Sequence, residues 1–267
     1  MTLFHSLLLG IIQGLTEFIP VSSTAHLLMG QQLFDIPADD AMFSFLVIIQ
    51  LGTLVSVFAF YWKDLVAIAK ATLDFGHSTP ERNLGIYLVI ATIPALLAGY
   101  FLKDIVESLF RTPLLQASIR LFSAAILLTF AELLTRKNRN LESITWLDAF
   151  FVGLFQIISL FPGASRSGTT ISGGMFRGFD RPAAARFAFL MSVPVMLAAG
   201  GYEMLDVIRM PNLGEFLPLL ALGFVTAAIV GWFAIKWLID YLSKRSLYVF
   251  AIYCAVVGLI VLLLQFR

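Results

Sequence analysis

Six stretches of about 20 residues run through this chain almost without charge: 41–62, 84–102, 114–134, 183–202, 216–238 and 247–264. At a rise of about 1.5 Å per residue each can cross a hydrocarbon layer about 30 Å thick. In lipid the backbone must satisfy its own polar groups, so such segments are helices. Composition agrees, with 59% hydrophobic and 13% charged residues, where soluble domains carry roughly 25% charged. A chain so poor in charge cannot cover a water-facing surface, and its solvent is lipid. A net charge of +1 with no basic face argues against a nucleic-acid partner. Cys254 stands alone, which excludes an intrachain disulfide and a cysteine metal cluster. The opening Met1-Thr2-Leu3-Phe4-His5 carries no basic n-region, so no cleaved signal is expected. One polytopic membrane domain over 1–267 follows.

Two further apolar stretches, 3–20 and 144–162, behave differently. Each runs into proline, then a cluster of small hydroxyl residues, then a short second apolar piece. That pattern reads as a helix–loop–helix that enters the membrane and turns back. The basic residues provide an orientation. With the 63–83 loop cytoplasmic, that side collects Lys63, Lys70, Arg82, Arg136, Lys137, Arg139, Arg177, Arg181, Arg186, Lys244 and Arg245. The other receives Lys103, Arg111, Arg209 and Arg267, and this split of eleven against four follows the positive-inside rule. It requires both hairpins to be re-entrant, the first from outside and the second from inside, with both termini outside.

The halves, approximately 1–140 and 141–267, also resemble each other. Gly10-Ile-Ile-Gln13 recurs as Gly153-Leu-Phe-Gln156, and Ala41-Met-Phe-Ser-Phe-Leu46 as Ala185-Arg-Phe-Ala-Phe-Leu190. The expected fold is an all-α integral membrane protein, six transmembrane helices plus two re-entrant helix–loop–helix hairpins in an inverted repeat. Broken segments at corresponding positions of such repeats mark the binding site.

The first break carries Gln13, Glu17, Pro20, Ser22, Ser23, Thr24 and His26. Gln13 and Glu17, four apart, share a helix face. A carboxylate inside an apolar segment is costly and marks function by default. Pro20 stops the helix, so Ser22, Ser23 and Thr24 can present hydroxyls and amides at the start of a second half-helix. One such hydroxyl is an ordinary N-cap; three beside Glu17 and His26 exceed what capping needs. The second break reads Pro162-Gly163-Ala164-Ser165-Arg166-Ser167-Gly168-Thr169-Thr170. Gly163 and Gly168 let backbone approach a ligand, and hydroxyls and amides at a helix N-terminus make an anion site. Arg166 adds a planar fork matched to phosphate oxygens; its alternative reading is an ion pair with Glu17 or a bond to a carbonyl. The catalytic candidates are Glu17, Ser23, His26 and Arg166. Gln13, Ser22, Thr24, Gly163, Ser165, Ser167 and Thr170 are the substrate-binding ones, around a phosphorylated lipid.

The remaining polar residues have plainer readings. Arg120, Lys236 and Asp240 lie within a few turns of helix ends, where snorkelling suffices. Glu132 sits near a span end and is expected to be wet. Gln50 and Gln156 suit interhelical hydrogen bonds, and Pro94 and Pro194 suit kinks.

With these motifs the sequence resembles the undecaprenyl-diphosphatase family of the bacitracin-resistance type. That family is recognised by (E/Q)-x-x-x-E, P-V-S-S-T-x-H and P-G-x-S-R-S-x-x-T. Here they are Gln13-x3-Glu17, Pro20 to His26 and Pro162 to Thr170, in order along the whole chain. The resemblance implies hydrolysis of undecaprenyl diphosphate to the monophosphate and inorganic phosphate, which recycles the carrier for peptidoglycan and related polymers. It also implies a multi-pass protein of the bacterial inner membrane, with the active site open to the periplasmic or extracellular side. A divalent cation, Mg²⁺ or Ca²⁺, comes with the family, and Glu17 is its candidate ligand. Gln13 stands where some members have Glu, which weakens a two-carboxylate metal site. The preferred nucleophile is Ser23, deprotonated by Glu17 or His26, with His26 as the alternative nucleophile. A lipid transporter would explain the inverted repeat equally well, but has no need of a nucleophile, a base and an arginine together. Whether the chain forms a homodimer is left open.

Overall fold

The computed structural model describes residues 1–37, 39–74, 77–108, 113–135, 138–160, 165–208 and 213–265. Among these the regular structure is helical. The first half holds α1 (Leu3–Phe18), α2 (Ser23–Leu33), α3 (Asp40–Phe60), α4 (Trp62–Leu73), α5 (Pro80–Ser108) and α6 (Pro113–Leu134). After a 3₁₀ turn at Leu141–Ser143 come α7 (Trp146–Ile158), α8 (Arg166–Phe176), α9 (Arg181–Ile208), α10 (Leu213–Lys244) and α11 (Tyr248–Leu264).

Hydroxyls and carboxylates cap several of these helices. The Thr2 hydroxyl accepts from His5 N–H at 3.2 Å, and Asp39 accepts from Met42 N–H at 2.8 Å. At α7, Thr145 and Asp148 form a reciprocal capping box. Among the described residues, four segments are long and apolar enough to cross a membrane: Ala41–Phe60, Pro80–Leu102, Leu114–Leu134 and Phe216–Lys244. The helices α1, α7 and α11 are apolar but shorter. Pro94 and Pro194 lie inside α5 and α9, each of which continues past its proline.

The 63–83 stretch, read from sequence as a loop, opens with α4. Asp64 lies in its first turn and Lys70 in its last, which complements the helix dipole. Its inward residue Ile68 is buried, and the helix packs on α5.

Packing exchanges partners between the halves. Helix α1 lies against α10, while α7 lies against α5; α3 packs on both α9 and α10, and α6 on α11. Small residues permit the tightest approaches, as membrane helices require. A Cβ on Gly10 would stand 2.8 Å from the Gly223 carbonyl oxygen, and one on Gly153 would collide with the Ala91 carbonyl. These two glycines are the corresponding positions of the sequence repeat, and each seats its helix on a long helix of the other half. The larger apolar core lies among α6, α8 and α9, with Leu121, Leu128, Met175, Phe187 and Met191 fully buried.

Three plain readings of polar residues need correcting. Glu132 is not wet: its side chain is 1% exposed, and it accepts from Arg181 Nε at 2.6 Å and Nη2 at 2.7 Å and from Leu247 N–H at 2.8 Å. Proximity to a helix end did not foretell that α9 and α11 begin over it. Gln156 is buried at 2% exposure, yet its amide makes no hydrogen bond among the described residues. Arg120 likewise does not snorkel; it is 5% exposed within α6.

Candidate active site

Pro20 and the residues around it end α1, and the chain re-enters a helix at Ser23. Between them Ser22 adopts φ 68° and ψ 92°, a left-handed conformation unusual for a residue with a Cβ. Such a conformation costs on the order of 1–3 kcal/mol and survives where surroundings over-determine it. Here the Ser22 carbonyl accepts from His26 Nδ1 at 2.9 Å and from His26 N–H at 3.3 Å. The sharp turn brings Ser23 back over the last turn of α1, beside Glu17.

Glu17 is the meeting point of both hairpins. On Oε2 it accepts from Gln13 Nε2 at 2.9 Å and from the Ser23 hydroxyl at 2.8 Å. On Oε1 it takes a short ion pair from Arg166 Nη2, the first residue of α8. The Glu17 side chain is 6% exposed and that of Arg166 21%. A buried charge needs this much compensation, and three donors supply it. The spacing read from the sequence accounts for the Gln13 contact, since i and i+4 share a face.

The second break is tied down at the same point. Ser165 caps α8, its Oγ accepting from Gly168 N–H at 3.2 Å and lying 3.2 Å from Ser167 Oγ. Ser167 donates to the Ile19 carbonyl at 3.4 Å, a long contact that nonetheless joins break to break. Thr170 is buried, and its hydroxyl donates to the Arg166 carbonyl at 2.8 Å. Ser22 is buried and Thr24 exposed. Gly163 lies outside the described residues.

So the structure gathers Gln13, Glu17, Ser23 and Arg166 into one hydrogen-bonded set. His26 is directed elsewhere, with both ring nitrogens engaged: Nδ1 by the Ser22 carbonyl and Nε2 by the Tyr253 hydroxyl at 2.8 Å. Tyr253, on α11, was missed from sequence. A tyrosine in an apolar helix 227 residues away carries no local sign of its partner.

The donor set also bears on the expected cation. Among the described residues no three His, Cys, Asp or Glu side chains cluster. Glu17 is a single carboxylate with most of its lone pairs already taken. That does not make a resident cage, but it fits a hard cation such as Mg²⁺, which is commonly held by one carboxylate plus substrate phosphates.

Comparison with known proteins covers nearly the whole chain. The family model described as bacitracin resistance protein BacA matches residues 6–260. The chain is 39% identical to the undecaprenyl-diphosphatase of Alkaliphilus metalliredigens, over 98% of both proteins. It is 42% identical to that of Anaeromyxobacter dehalogenans, over 97% of this chain and 90% of the relative. With that of Mycobacterium marinum it shares 39% identity over 96% of this chain and 92% of the relative.

Proposed function

The chain belongs to the bacitracin resistance protein BacA family, and from that premise we infer that it hydrolyses undecaprenyl diphosphate to undecaprenyl phosphate and inorganic phosphate. It is a multi-pass membrane phosphatase that returns the lipid carrier to cell-wall polymer synthesis. The observation that carries the reading is the set around Glu17: a serine hydroxyl on a buried carboxylate, with an arginine fork from the opposite hairpin.

In the mechanism, Ser23 Oγ attacks the terminal phosphorus and its proton passes to Glu17 Oε2. The bond from that phosphorus to the bridging oxygen breaks, and undecaprenyl phosphate departs with the electron pair. Water then attacks the seryl phosphate, releasing inorganic phosphate and restoring the hydroxyl. Arg166 and the amides at the start of α8 stabilise charge on the equatorial oxygens, the main task in phosphoryl transfer. Ser165 and Ser167 line the anion site. Ser23 is favoured over His26 as nucleophile because it already donates to a carboxylate at 2.8 Å, whereas His26 Nε2 is engaged by Tyr253. A divalent cation, Mg²⁺ or Ca²⁺, would be held by Glu17 and the substrate, with Gln13 beside it, and would supply neutralisation of phosphate charge.

We read α3, α5, α6, α9, α10 and α11 as six spans, and α1–α2 and α7–α8 as re-entrant hairpins of an inverted repeat. Length supports this for α7, whose 13 residues reach about 20 Å, short of a hydrocarbon core of about 30 Å; α1, with 16 residues against 17 in α11, is assigned by its break at Pro20 instead. The exchanged packing of α1 on α10 and α7 on α5 supports two related halves. The distribution of basic residues supports a site open to the periplasmic or extracellular side. The polyprenyl tail then stays in lipid while its diphosphate enters between the hairpins.

The test is phosphate release by the purified protein given a polyprenyl diphosphate in detergent. Ser23→Ala is expected to abolish turnover and leave lipid binding largely intact. A protein that binds the lipid yet releases no phosphate would favour a transporter.

A further inference from the structure

His26 has two hydrogen-bond partners, and their chemistry fixes its protonation pattern. A carbonyl oxygen only accepts, so Nδ1, 2.9 Å from the Ser22 carbonyl, carries a hydrogen. In the neutral ring Nε2 is then an acceptor. The group facing it is the Tyr253 hydroxyl at 2.8 Å, which therefore donates. The two rings also lie nearly parallel, at 8° with centroids 5.7 Å apart. Nor is this contact isolated, because the neighbouring Cys254 thiol points to the Pro20 carbonyl at 3.9 Å. Two successive residues of α11 thus touch the first hairpin at its break.

We propose that Tyr253 is the positioning residue of His26, holding the imidazole by stacking and by a hydroxyl that meets Nε2 in either charge state. A tyrosine hydroxyl donates to the neutral ring and, by rotating, accepts from the charged one. The histidine can therefore gain or lose a proton without losing its partner or moving its ring. Phenylalanine would keep the stack and lose this property. The competing explanation is that Tyr253, 43% exposed on an apolar helix, is an ordinary interfacial aromatic. An interfacial aromatic has no need of a hydrogen bond to a buried hairpin. The proposal rests on the phosphatase reading above, to which it adds that His26, bonded to the Ser22 carbonyl, holds the turn that presents Ser23.

The experiment separates ring from hydroxyl in the full-length protein. Tyr253→Phe is expected to lower kcat about tenfold, the scale of one lost hydrogen bond, with KM within about twofold. Tyr253→Leu, which also loses the stack, is expected to fall further. Monodispersity and thermal midpoint are measured for each. Nitrogen-15 histidine labelling gives a second readout, since the chain has only 3 histidines. In the wild type the His26 signals should show hydrogen on Nδ1; in Tyr253→Phe that hydrogen should stay, while Nε2 shifts to the position of an acceptor without a donor. Wild-type kcat in Tyr253→Phe, a change in KM alone, or an unmoved Nε2 signal would each overturn the proposal. A wild-type protein that released no phosphate would fail the phosphatase reading instead, and the nitrogen signals would still report on this contact.

Discussion

Glu17 and Arg166 form an ion pair between the two hairpins, across 149 positions of sequence, so the arginine suited to phosphate is held by the carboxylate that also accepts from Ser23. On the proposed mechanism, an incoming diphosphate competes with Glu17 for that fork. It can win, because it offers more negative charge and oxygens spaced for bidentate bonding. Arg166 has further guanidinium hydrogens, so the exchange need not break every contact at once.

This competition separates two variants that a purely structural ion pair would leave alike. Glu17→Gln removes the proposed base and should lower turnover by roughly a hundredfold or more, while with divalent cation chelated a polyprenyl diphosphate binds as well as before or more tightly. Arg166→Ala should lower turnover on a similar scale, roughly a hundredfold or more, and weaken binding too. Arg166→Lys keeps the charge but not the fork, and should be severely impaired. Phosphate release and equilibrium lipid binding on each variant decide it. Loss of binding in Glu17→Gln would refute the competition, and wild-type turnover in Arg166→Ala would remove the second hairpin from the site.

Gln13 donates to Glu17 Oε2 alongside Ser23. It orients the carboxylate, and two other donors remain when it is gone. Gln13→Ala should therefore keep measurable phosphate release, down by roughly tenfold. Gln13→Glu should remain active, with an altered response to Mg²⁺ and Ca²⁺, because a second carboxylate joins the face. Complete loss in a folded Gln13→Ala protein would make Gln13 indispensable to the chemistry.

How much of this was legible depended on the range of the interactions. Uninterrupted apolar length placed the long helices, and Pro20 placed the first break, because both are local signals. The i, i+4 spacing put Gln13 on Glu17. The motifs nominated Arg166 without saying which acceptor it would take, since that requires the hairpins to meet. Tyr253 and the burial of Glu132 were illegible for the same reason: each depends on where a distant helix begins or lies. The repeat explains one failure more sharply. Gln156 occupies the place of Gln13, but Leu160 stands where Glu17 would be, and the Gln156 amide accordingly makes no hydrogen bond among the described residues. The packing glycine stands in both matched stretches, as Gly10 and Gly153, and the carboxylate only in the first.

The orientation rests on the basic residues and can be tested directly. In a Cys254→Ser background, Thr2→Cys should react with an impermeant thiol reagent added to intact cells, because the proposed orientation puts the amino terminus outside. His77→Cys, in the 63–83 segment, should react only after permeabilisation. The opposite pattern would invert the protein. Reaction of both positions in intact cells would place both segments outside and remove at least one span or hairpin assignment between them.

The last prediction concerns what holds the scaffold. Glu132 joins the end of α6 to the starts of α9 and α11, taking both Arg181 nitrogens and the Leu247 N–H while only 1% exposed. Losing one partner of a fully buried pair costs about 3–5 kcal/mol, and with Arg181 28% exposed the lower end of that range applies. Glu132→Ala would leave Arg181 without this partner and orphan a backbone N–H as well. The thermal midpoint in detergent should fall by roughly ten degrees. The exposed pair of Arg186 with Asp64, at 44% and 35% side-chain exposure, is the internal control, because such pairs contribute about 1 kcal/mol or less. Arg186→Ala should therefore move the midpoint by no more than a few degrees. At a temperature where Glu132→Ala is still folded, it should hydrolyse the lipid diphosphate at close to the wild-type rate, since Glu132 bonds to none of Gln13, Glu17, Ser23 and Arg166. Equal shifts in the two variants would show that burial at this junction adds nothing. A folded Glu132→Ala protein without activity would mean that the three helix ends set the geometry of the hairpins.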